Sequence, residues 1–248
     1  MVIGCIGALD SEIALFKSEL TDISIKNHCG FSFLIGKLNN HKVIVTKSGI
    51  GKVNMALTVS TLISLFKVDL LINTGIAGSI NTEIGRVVVG TSFRYYDFIF
   101  PNESRVNEFP PAIKPSNELI NDVKSILNDD VLYGTILTGD RFITSTSELN
   151  GAPTRGVKAI DMESTAFAQS AKRFKKKFLV FRCISDRLSY DDYESNNKFS
   201  AISAAEMVIR FIKNHQKYCE DSEKATQTGR KCNTYIWQRV HVQNKKKL

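Results

Sequence analysis

The chain has 248 residues, of which 43% are hydrophobic and 23% charged, a composition typical of a folded domain with a sizeable core rather than a disordered or disulfide-rich chain. Its apolar runs are far shorter than the roughly 20 residues of a membrane-spanning helix, and no basic stretch precedes the apolar start, so we expect neither a membrane span nor a secretory signal peptide. Of the net charge of +8, residues 216–248 carry +5, with eight Lys or Arg against three acids, which predicts one domain over 1–215 and a basic, partly disordered tail over 216–248.

Apolar runs of strand length alternate with helical spacing in the first half of the chain. Residues 2–8 predict a strand, and the spacing of Ile13, Phe16 and Leu20 predicts a helix over 10–20. A hairpin of 31–38 and 42–47, a helix over 53–66, a strand at 70–73 and strand-rich sequence at 87–100 follow. Four of the five prolines fall in 101–115, which predicts an exposed loop.

The second half repeats this alternation. A helix is predicted from 115–116 to about residue 127, and strands are predicted at 131–138, 141–146 and 157–160. A helix through residue 173, a buried strand at 178–184, a polar stretch at 187–197 and a helix over 199–215 complete it. Strands that are apolar on both faces and alternate with helices are typical of an α/β fold. We predict a three-layer α/β/α sandwich around a mixed, twisted sheet.

Three acidic residues follow predicted strands at the position where α/β sheets bind ligands. Glu12 lies four residues after the first strand, Glu163 three after the strand at 157–160, and Asp186 two after the strand at 178–184. Each of them could instead cap a helix and complement its dipole. Because they follow three different strands, a shared cleft explains them better than three separate caps.

Two glycine-containing segments also follow strands. Residues 48–52 are unlike a P-loop, because Thr46 stands at the first glycine position and Val53 follows the lysine, so we predict no nucleoside triphosphate site. Most side chains over residues 74–78 are small, Ile76 being the exception, so that either a ligand or a packed helix approaches the backbone there. Both interpretations of this second segment stay open.

The five Cys and four His give no sign of a metal centre. No two Cys have the CxxC spacing, and the His are isolated from one another. We therefore predict neither a metal site nor a disulfide framework, and we expect a reducing cytoplasm as the compartment.

Six motifs occur together in a specific order. They are Ile3-Gly4-x-Ile6-Gly7-Ala8-x-x-x-Glu12, Ser48-Gly49-Ile50-Gly51-Lys52-Val53, Ile72-Asn73-Thr74-Gly75-x-Ala77-Gly78, Gly139-Asp140-x-Phe142-Ile143, Asp161-Met162-Glu163-x-Thr165-Ala166 and Arg182-x-Ile184-Ser185-Asp186. From residue 1 to about 215 the chain resembles the 5′-methylthioadenosine/S-adenosylhomocysteine nucleosidases, within the purine nucleoside phosphorylase superfamily. The tail after His215 has no counterpart in this resemblance.

The resemblance implies hydrolysis of the bond between adenine N9 and ribose C1′ in methylthioadenosine, adenosylhomocysteine and 5′-deoxyadenosine. It implies a cytoplasmic homodimer that works in methionine salvage and needs no metal or organic cofactor. Breaking such a bond requires a proton donor at the base and a carboxylate that activates water, as in inverting glycosidases. By resemblance Asp186 protonates adenine N7 and Glu12 takes a proton from water.

The resemblance also implies the remaining roles in the site. At the base, Phe142 stacks on adenine, the Ile143 backbone hydrogen-bonds to the adenine edge, and Ser185 orients Asp186. At the sugar, Glu163 holds the ribose hydroxyls, Arg182 supports the ribose and the water, and Met162 either packs on the sugar or belongs to the core. At the 5′ end, Leu9 and Ile50 line the pocket for the alkylthio group, and Phe199 closes that pocket.

The sequence departs from the family pattern in three places. Ile76 stands where the family often has a small residue, commonly Ser, and the isoleucine side chain cannot make the hydrogen bond of a serine. Leu9 replaces a frequent Met, an almost neutral change for an apolar pocket. The loop after residues 94–97 is shorter than usual and differs in sequence. In the family this loop reaches the neighbouring subunit's site in a homodimer, so we expect the contacts between subunits and the 5′-substituent preference to differ from those of the family.

Three other functions were weighed against hydrolysis. A phosphorylase of the same fold would need several arginines around phosphate, whereas only Arg182 is near the predicted site and Glu12 would repel the anion. A nucleic-acid or anionic-surface binder would act through the tail, which offers only Tyr218, Tyr235 and Trp237 among its basic residues. A non-catalytic relative would not need the three acids. We therefore predict a hydrolase without a specific nucleic-acid partner.

Overall fold

Strands and helices alternate along most of the chain, as predicted. The computed structural model describes residues 1–98, 112–149 and 151–227, with side chains described through residue 215. Its strands are β1 Val2–Gly7, β2 Thr21–His28, β3 Phe31–Leu38, β4 His41–Lys47, β5 Leu70–Gly78, β6 Val87–Tyr95, β7 Val131–Thr138, β8 Val157–Asp161 and β9 Lys177–Asp186. Its helices are α1 Asp10–Glu19, α2 Lys52–Phe66, α3 Asn117–Leu127, α4 Ser164–Arg173 and α5 Tyr190–Gln227.

The described strands form one mixed sheet in the order β2-β3-β4-β1-β5-β8-β7-β6-β9. β1 is parallel to both β4 and β5, whereas β2, β3 and β4 are joined antiparallel as a meander. β5 also pairs in parallel with β9 along its whole length. Because β9 pairs with β6 as well, in the antiparallel sense, strands β5 to β9 close into a ring.

Helices cover both faces of this sheet, because its central strands are apolar on both sides. On one face Phe16 of α1, Val123 of α3 and Val208 of α5 belong to one buried cluster with sheet residues. On the other face Leu62 of α2 and Phe167 of α4 belong to a second buried cluster. The predicted three-layer α/β arrangement is therefore confirmed.

One helix start agrees with its prediction and another does not. The Ser116 hydroxyl oxygen accepts a hydrogen bond from the Leu119 N–H at 3.3 Å and caps α3 at the predicted place. Helix α5 begins at Tyr190 rather than at residue 199. The polar stretch at 187–197 hid this start, because the first turns of the helix carry few of the apolar residues on which the prediction relied.

Three predictions about strands are corrected. β2 was missed because all of its residues are exposed and it pairs only with β3, so it has no burial alternation. Residues 141–146 are not a strand but bends that lead into a short 3-10 turn, where the Glu148 carboxylate accepts the N–H groups of Thr144 and Ser145 at 2.9 and 3.0 Å. β6 ends at Tyr95, and most of the predicted loop at 101–115 lies outside the described residues.

The end of the chain separates from the rest. Residues Met1–Lys213 form one compact unit, and a second unit starts at Asn214. The described backbone of this second unit continues α5 to Gln227, and residues 228–248 lie outside the described residues, so the partly disordered tail stays a prediction. In the ranges that the structure describes, no helix combines the length and the apolarity needed to cross a membrane.

Candidate active site

The candidate site is a cavity at the carboxyl ends of the strands, where ligands bind in α/β sheets. The turns after β1, β4, β7 and β8, together with the last residues of β5 and β9, supply its walls. The predicted site residues that line it are Leu9, Glu12, Ile50, Ile76, Phe142, Ile143, Met162, Glu163, Ser185 and Asp186. The three acids therefore line one cavity although they follow three different strands.

Two predicted site residues do not line this cavity. Arg182 is only 1% exposed and lies behind the wall, where its Nε donates to Asp161 Oδ2 at 2.7 Å. Phe199 is 63% exposed on α5 and is not among the residues that line the cavity. Because α5 starts early, Tyr193 near its beginning lines the cavity instead.

An aromatic group borders the cavity beside α5. The Phe142 ring centroid lies 5.4 Å from that of Tyr193 and 6.0 Å from that of Tyr190, in both cases edge to face, a favourable geometry for aromatic pairs. Sequence reasoning missed Tyr193, as it missed Arg141 and Leu188 of the lining. The i, i+3 spacing of the two tyrosines in a polar stretch is a helical signal that points to them.

Glu12 is fixed by backbone donors from two elements. Its Oε1 accepts the Ile76 N–H of β5 at 2.9 Å, and its Oε2 accepts the Leu9 N–H at the start of α1 at 3.0 Å. The capping interpretation is thus correct for one oxygen, and the other oxygen ties the carboxyl to the site. Burial raises the pKa of Glu12, against the lowering effect of Arg182 and the backbone donors. The bond from Ile76 uses only its backbone, so the side chain at this departure from the family leaves it intact.

Two glycines of β5 leave room for the acids themselves. A Cβ on Gly75 would lie 2.5 Å from Glu12 Oε1 and 2.9 Å from Arg182 Nη1, and a Cβ on Gly78 would lie 2.7 Å from Asp186 Oδ1. The side chains that approach this small-residue segment are therefore charged groups of the site, which neither open interpretation had named. Roughly 10 Å of strand separates the two glycines, so Glu12 and Asp186 are held apart along β5.

Gly78→Ala should lower the rate of the reaction more than it lowers stability. The added methyl group overlaps the Asp186 carboxyl, which must then turn away from its hydrogen-bond partners. We expect at least a tenfold loss of kcat, about 1.4 kcal/mol at the transition state, measured beside the urea midpoint of unfolding. Ala77→Gly, on the same strand, is the control for a change in backbone freedom. A glycine such as Gly30 cannot provide this control, because it has a positive φ and alanine would be strained there. An unchanged kcat in Gly78→Ala would show that Asp186 tolerates displacement.

Asp186 is a buried carboxyl at the end of β9, 2% exposed. Its Oδ2 accepts the Ser185 hydroxyl at 2.8 Å, and its Oδ1 accepts the Leu188 N–H at 3.0 Å. Burial raises the pKa of Asp186, and these hydrogen bonds lower it by less. The carboxyl therefore keeps a proton to a higher pH than an exposed aspartate does.

Arg182 compensates a group of buried acids. Besides its bond to Asp161, its Nη2 donates to Asn73 Oδ1 at 2.6 Å and lies 3.9 Å from Glu163 Oε2. Asp161 also accepts the hydroxyls of Thr138 and Ser164. One cation thus faces several carboxylates in a buried setting. In the described part of the chain no group of three His, Cys, Asp or Glu is arranged to hold a metal ion.

Glu163 combines burial with a nearby like charge. Its Oε1 accepts the Gly51 N–H at 2.8 Å. Burial and the Asp161 carboxylate raise the pKa of Glu163 to about 8, although Arg182 and the Gly51 donor lower it. Asp161, not Glu163, caps α4, because its carboxylate accepts the Ser164 N–H. The side chain of Glu163 is therefore free to serve the cavity.

The raised pKa of Glu163 makes a prediction about stability. Its pKa rises from an ordinary 4.5 to about 8 in the folded protein. Between these two pH values the folded protein keeps a proton on Glu163 that the unfolded chain has lost. The corresponding stability is complete below about pH 4.5 and is lost as the pH rises through about 8. We expect Glu163→Gln, which cannot ionise, to have a smaller fall in unfolding free energy over this range, measured by urea titration. Equal slopes in both proteins would contradict it.

Comparisons with known proteins identify the family of the chain. The Phosphorylase superfamily model matches residues 2–214. A 5′-methylthioadenosine/S-adenosylhomocysteine nucleosidase of an Exiguobacterium strain is 35% identical over 86% of this chain and 98% of the relative. Among solved structures, the nucleosidase of Colwellia psychrerythraea in complex with adenine is 32% identical, with a TM-score of 0.77 over 85% of this chain and 94% of its own. That of Neisseria meningitidis in complex with methylthio-immucillin-A is 28% identical, with a TM-score of 0.79 over 86% and 99%. The chain belongs to the 5′-methylthioadenosine/S-adenosylhomocysteine nucleosidases of the phosphorylase superfamily.

Proposed function

We propose that this chain hydrolyses the bond between adenine N9 and ribose C1′ in methylthioadenosine, adenosylhomocysteine and 5′-deoxyadenosine, as a cytoplasmic homodimer. The observation that carries the proposal is the pair of buried carboxyls, Glu12 and Asp186, fixed by hydrogen bonds on the wall of one cavity. The Colwellia relative binds adenine and the Neisseria relative binds a methylthio-immucillin, which supports a nucleoside with a 5′-thioether as the occupant.

The leaving base needs a proton because adenine is a poor leaving group as an anion. Asp186, with its raised pKa, donates this proton to N7 while the bond between C1′ and N9 breaks and its electron pair goes to the base. Ser185 donates to Oδ2 of the same carboxyl and keeps it oriented after the proton has left. The sugar is left with positive charge at C1′ and the ring oxygen.

Water then supplies the new bond at C1′. Glu12 accepts a proton from this water, and its raised pKa places it closer to the working pH, as a general base requires. Oε2 accepts two backbone N–H groups, from Ala8 and Leu9, whereas Oε1 accepts only the Ile76 N–H among the described donors, which leaves a second lone pair on Oε1 for the water. Arg182 stabilises the negative charge of Glu12 from behind.

The remaining lining residues divide between the sugar and the base. The Glu163 carboxylate accepts hydrogen bonds from the ribose hydroxyls, and these hydrogen bonds become stronger as the ring becomes positive. Met162 packs on the sugar. Phe142 stacks on adenine and the Ile143 backbone reads its edge. Leu9 and Ile50 form the apolar wall for the 5′ substituent, which Tyr193 completes in place of Phe199.

Hydrolysis is favoured over phosphorolysis by the charges in the site. Phosphate would need free arginines, yet Arg141 pairs with Glu148 at 2.8 Å and Arg182 pairs with Asp161. A carboxylate at Glu12 would repel an anion in the same cavity. The homodimer belongs to the proposal. So does a contribution of the segment after Asp97 to the active site of the neighbouring subunit, since residues 99–111 lie outside the described residues.

The proposal is tested by adenine release in phosphate-free buffer. The unmodified protein should release adenine from methylthioadenosine and adenosylhomocysteine, and 5′-deoxyadenosine tests the wider substrate range. Glu12→Gln should lower the rate at least a hundredfold, the lower end of what a general base contributes. Asp10→Asn, on the same helix but paired with Lys47 at the surface, should leave the rate within a factor of two or so. No release from either thionucleoside would refute the proposal.

A further inference from the structure

Lys52, the first residue of α2, joins two acids that have no part in the proposed chemistry. Its Nζ lies 2.7 Å from Asp97 Oδ2 and 3.3 Å from Asp140 Oδ2. Its backbone N–H also donates to Asp140 Oδ1 at 3.0 Å, and the Asp140 N–H donates to Asp97 Oδ2 at 2.9 Å. The ammonium lies 5.2 Å from the Tyr95 ring centroid, within cation–π range. We call Lys52, Asp97 and Asp140 the Lys52 clamp.

The Lys52 clamp connects the two sides of the cavity. On one side, Gly51 directly precedes Lys52 and donates its N–H to Glu163 at 2.8 Å, the carboxyl that we assign to the ribose. On the other side, Asp140 directly precedes the segment that carries Phe142 and Ile143 on the cavity wall. The clamp therefore joins Gly51, whose N–H holds Glu163 at the ribose, to the segment of Phe142 and Ile143, which we assign to adenine.

The clamp is more than a solvent-exposed ion pair. The side chains of Lys52 and Asp97 are only 24% and 25% exposed, so water screens their attraction less than at an open surface. Without the ammonium, two carboxylates would remain beside each other, joined through one backbone N–H. Their repulsion would push the Asp140 segment away from α2.

We propose that Lys52 is a positioning residue of the nucleosidase, which holds the Gly51 donor on Glu163 and the Phe142 segment at a fixed separation. The inference rests on the proposed function, because it concerns how the ribose and the base are held together. It predicts that loss of the ammonium weakens substrate binding more than it slows the chemical step. The acids of that step, Glu12 and Asp186, contact the clamp at no atom in the described structure.

The test compares Lys52→Met with Lys52→Arg and with Lys47→Met. Lys47 pairs with Asp10 at 2.7 Å near the beginning of the same connection, but its side chain is 47% exposed, so its variant removes the same charge away from the clamp. For methylthioadenosine we expect Lys52→Met to raise KM about tenfold with a smaller loss of kcat, a change of about 1.4 kcal/mol in binding. Lys52→Arg should recover most of the loss, and Lys47→Met should match the unmodified protein.

The pH profile separates positioning from a general loss of stability. Glu163 faces Asp161, Arg182, Glu12 and the Gly51 donor, and that donor favours its charged form. If Lys52→Met displaces Gly51, a higher pH is needed to ionise Glu163, so the acidic limb of kcat/KM should move to higher pH. Asp97→Asn removes the nearer partner of the ammonium and leaves Asp140 at 3.3 Å, so the clamp is weakened and the same limb should shift in the same direction by less; this variant serves if Lys52→Met fails to fold.

The possible results have separate meanings. An unmodified protein that releases adenine, together with a raised KM and a shifted limb in Lys52→Met and Asp97→Asn, supports the inference. Kinetics in both variants equal to those of Lys47→Met, or a lower melting temperature with no change in KM or in the limb, would overturn it and leave the nucleosidase intact. An unmodified protein that releases no adenine would overturn the proposed function and this inference with it.

Discussion

Asp186→Asn is expected to lower kcat for adenine release from methylthioadenosine by about a hundredfold to ten-thousandfold, the range that a positioned proton donor contributes. The amide has almost the same shape as the carboxyl and still accepts the Leu188 N–H, but it has no acidic proton for adenine N7. KM should change much less than kcat. Because only protonated Asp186 donates, kcat of the unmodified protein should fall as the pH rises past the raised pKa of this carboxyl, and this fall should be absent from the variant.

Asp192→Asn is the matched control for that experiment. Asp192 accepts the Arg187 N–H at 3.3 Å, and its charge contributes to the raised pKa of Asp186, so its variant removes a nearby negative charge without removing the acid. We expect kcat within about threefold of the unmodified protein. If kcat of Asp186→Asn is also within about threefold of the unmodified protein, Asp186 is not the acid, even though the protein remains a nucleosidase.

Arg182→Met is expected to destabilise the fold by about 3–5 kcal/mol, the usual cost of removing one partner from a buried ionic group. The variant leaves Asp161 without its 2.7 Å partner and leaves Glu12 and Glu163 without the cation that favours their charged forms. The free energy of unfolding, measured by urea titration at neutral pH, should fall accordingly. Part of the loss should return at lower pH, because Glu12 and Glu163, whose pKa values are raised by burial, then become neutral.

A double-mutant cycle separates charge from packing in that result. Asp161→Asn added to Arg182→Met should recover part of the lost stability, which would be a coupling between neighbours. Arg210→Met removes a surface arginine that pairs with Asp130 and should cost no more than about 1 kcal/mol. If Arg182→Met unfolds at the same urea concentration as the unmodified protein, the central role of Arg182 in the charge balance is wrong.

The buried strands and the acids after them could be predicted because one physical cause governs both. β1, β5 and β9 are apolar on both faces, so their sequences stand out, and the chain must turn polar where each strand reaches the cavity. Glu12 lies shortly after β1, Glu163 shortly after β8, and Asp186 is the last residue of β9; all three line the cavity. Their hydrogen bonds were not predictable, since the choice between a helix cap and a site residue depends on what lies opposite. For Glu12 that is the Ile76 N–H on another strand.

The errors arose where burial does not follow a regular period. β2 is exposed throughout, and its two apolar residues, Ile23 and Ile25, are too few to distinguish an edge strand from a loop. At 141–146, Phe142 and Ile143 are apolar because they line the cavity, which imitated a strand. Tyr190 and Tyr193 pack against Phe142 beside the cavity, so the first turns of α5 lack the apolar spacing of a helix that packs on a sheet. The sequence therefore predicts too late a start for α5, and it points to Phe199 for the pocket.

Closure of the sheet was also beyond the sequence pattern. The pairing of β5 with β9 joins residues about a hundred positions apart, such as Gly75 and Arg182, and no local propensity encodes it. The same closure explains the small residues at 74–78. Their neighbours are Glu12, Arg182 and Asp186, which come from elements at both ends of the chain.

The central claim is that Glu12 directs water to ribose C1′ while Asp186 protonates the base. Its most direct test is single-turnover cleavage of methylthioadenosine by the unmodified protein, Glu12→Gln and Asp186→Asn in buffer that contains millimolar phosphate, with adenine release timed and the sugar product analysed by mass spectrometry. We predict adenine and free methylthioribose at a rate that phosphate does not increase, and a loss of at least a hundredfold in each variant. A sugar 1-phosphate as the product, or single-turnover rates in both variants equal to that of the unmodified protein, would contradict the account.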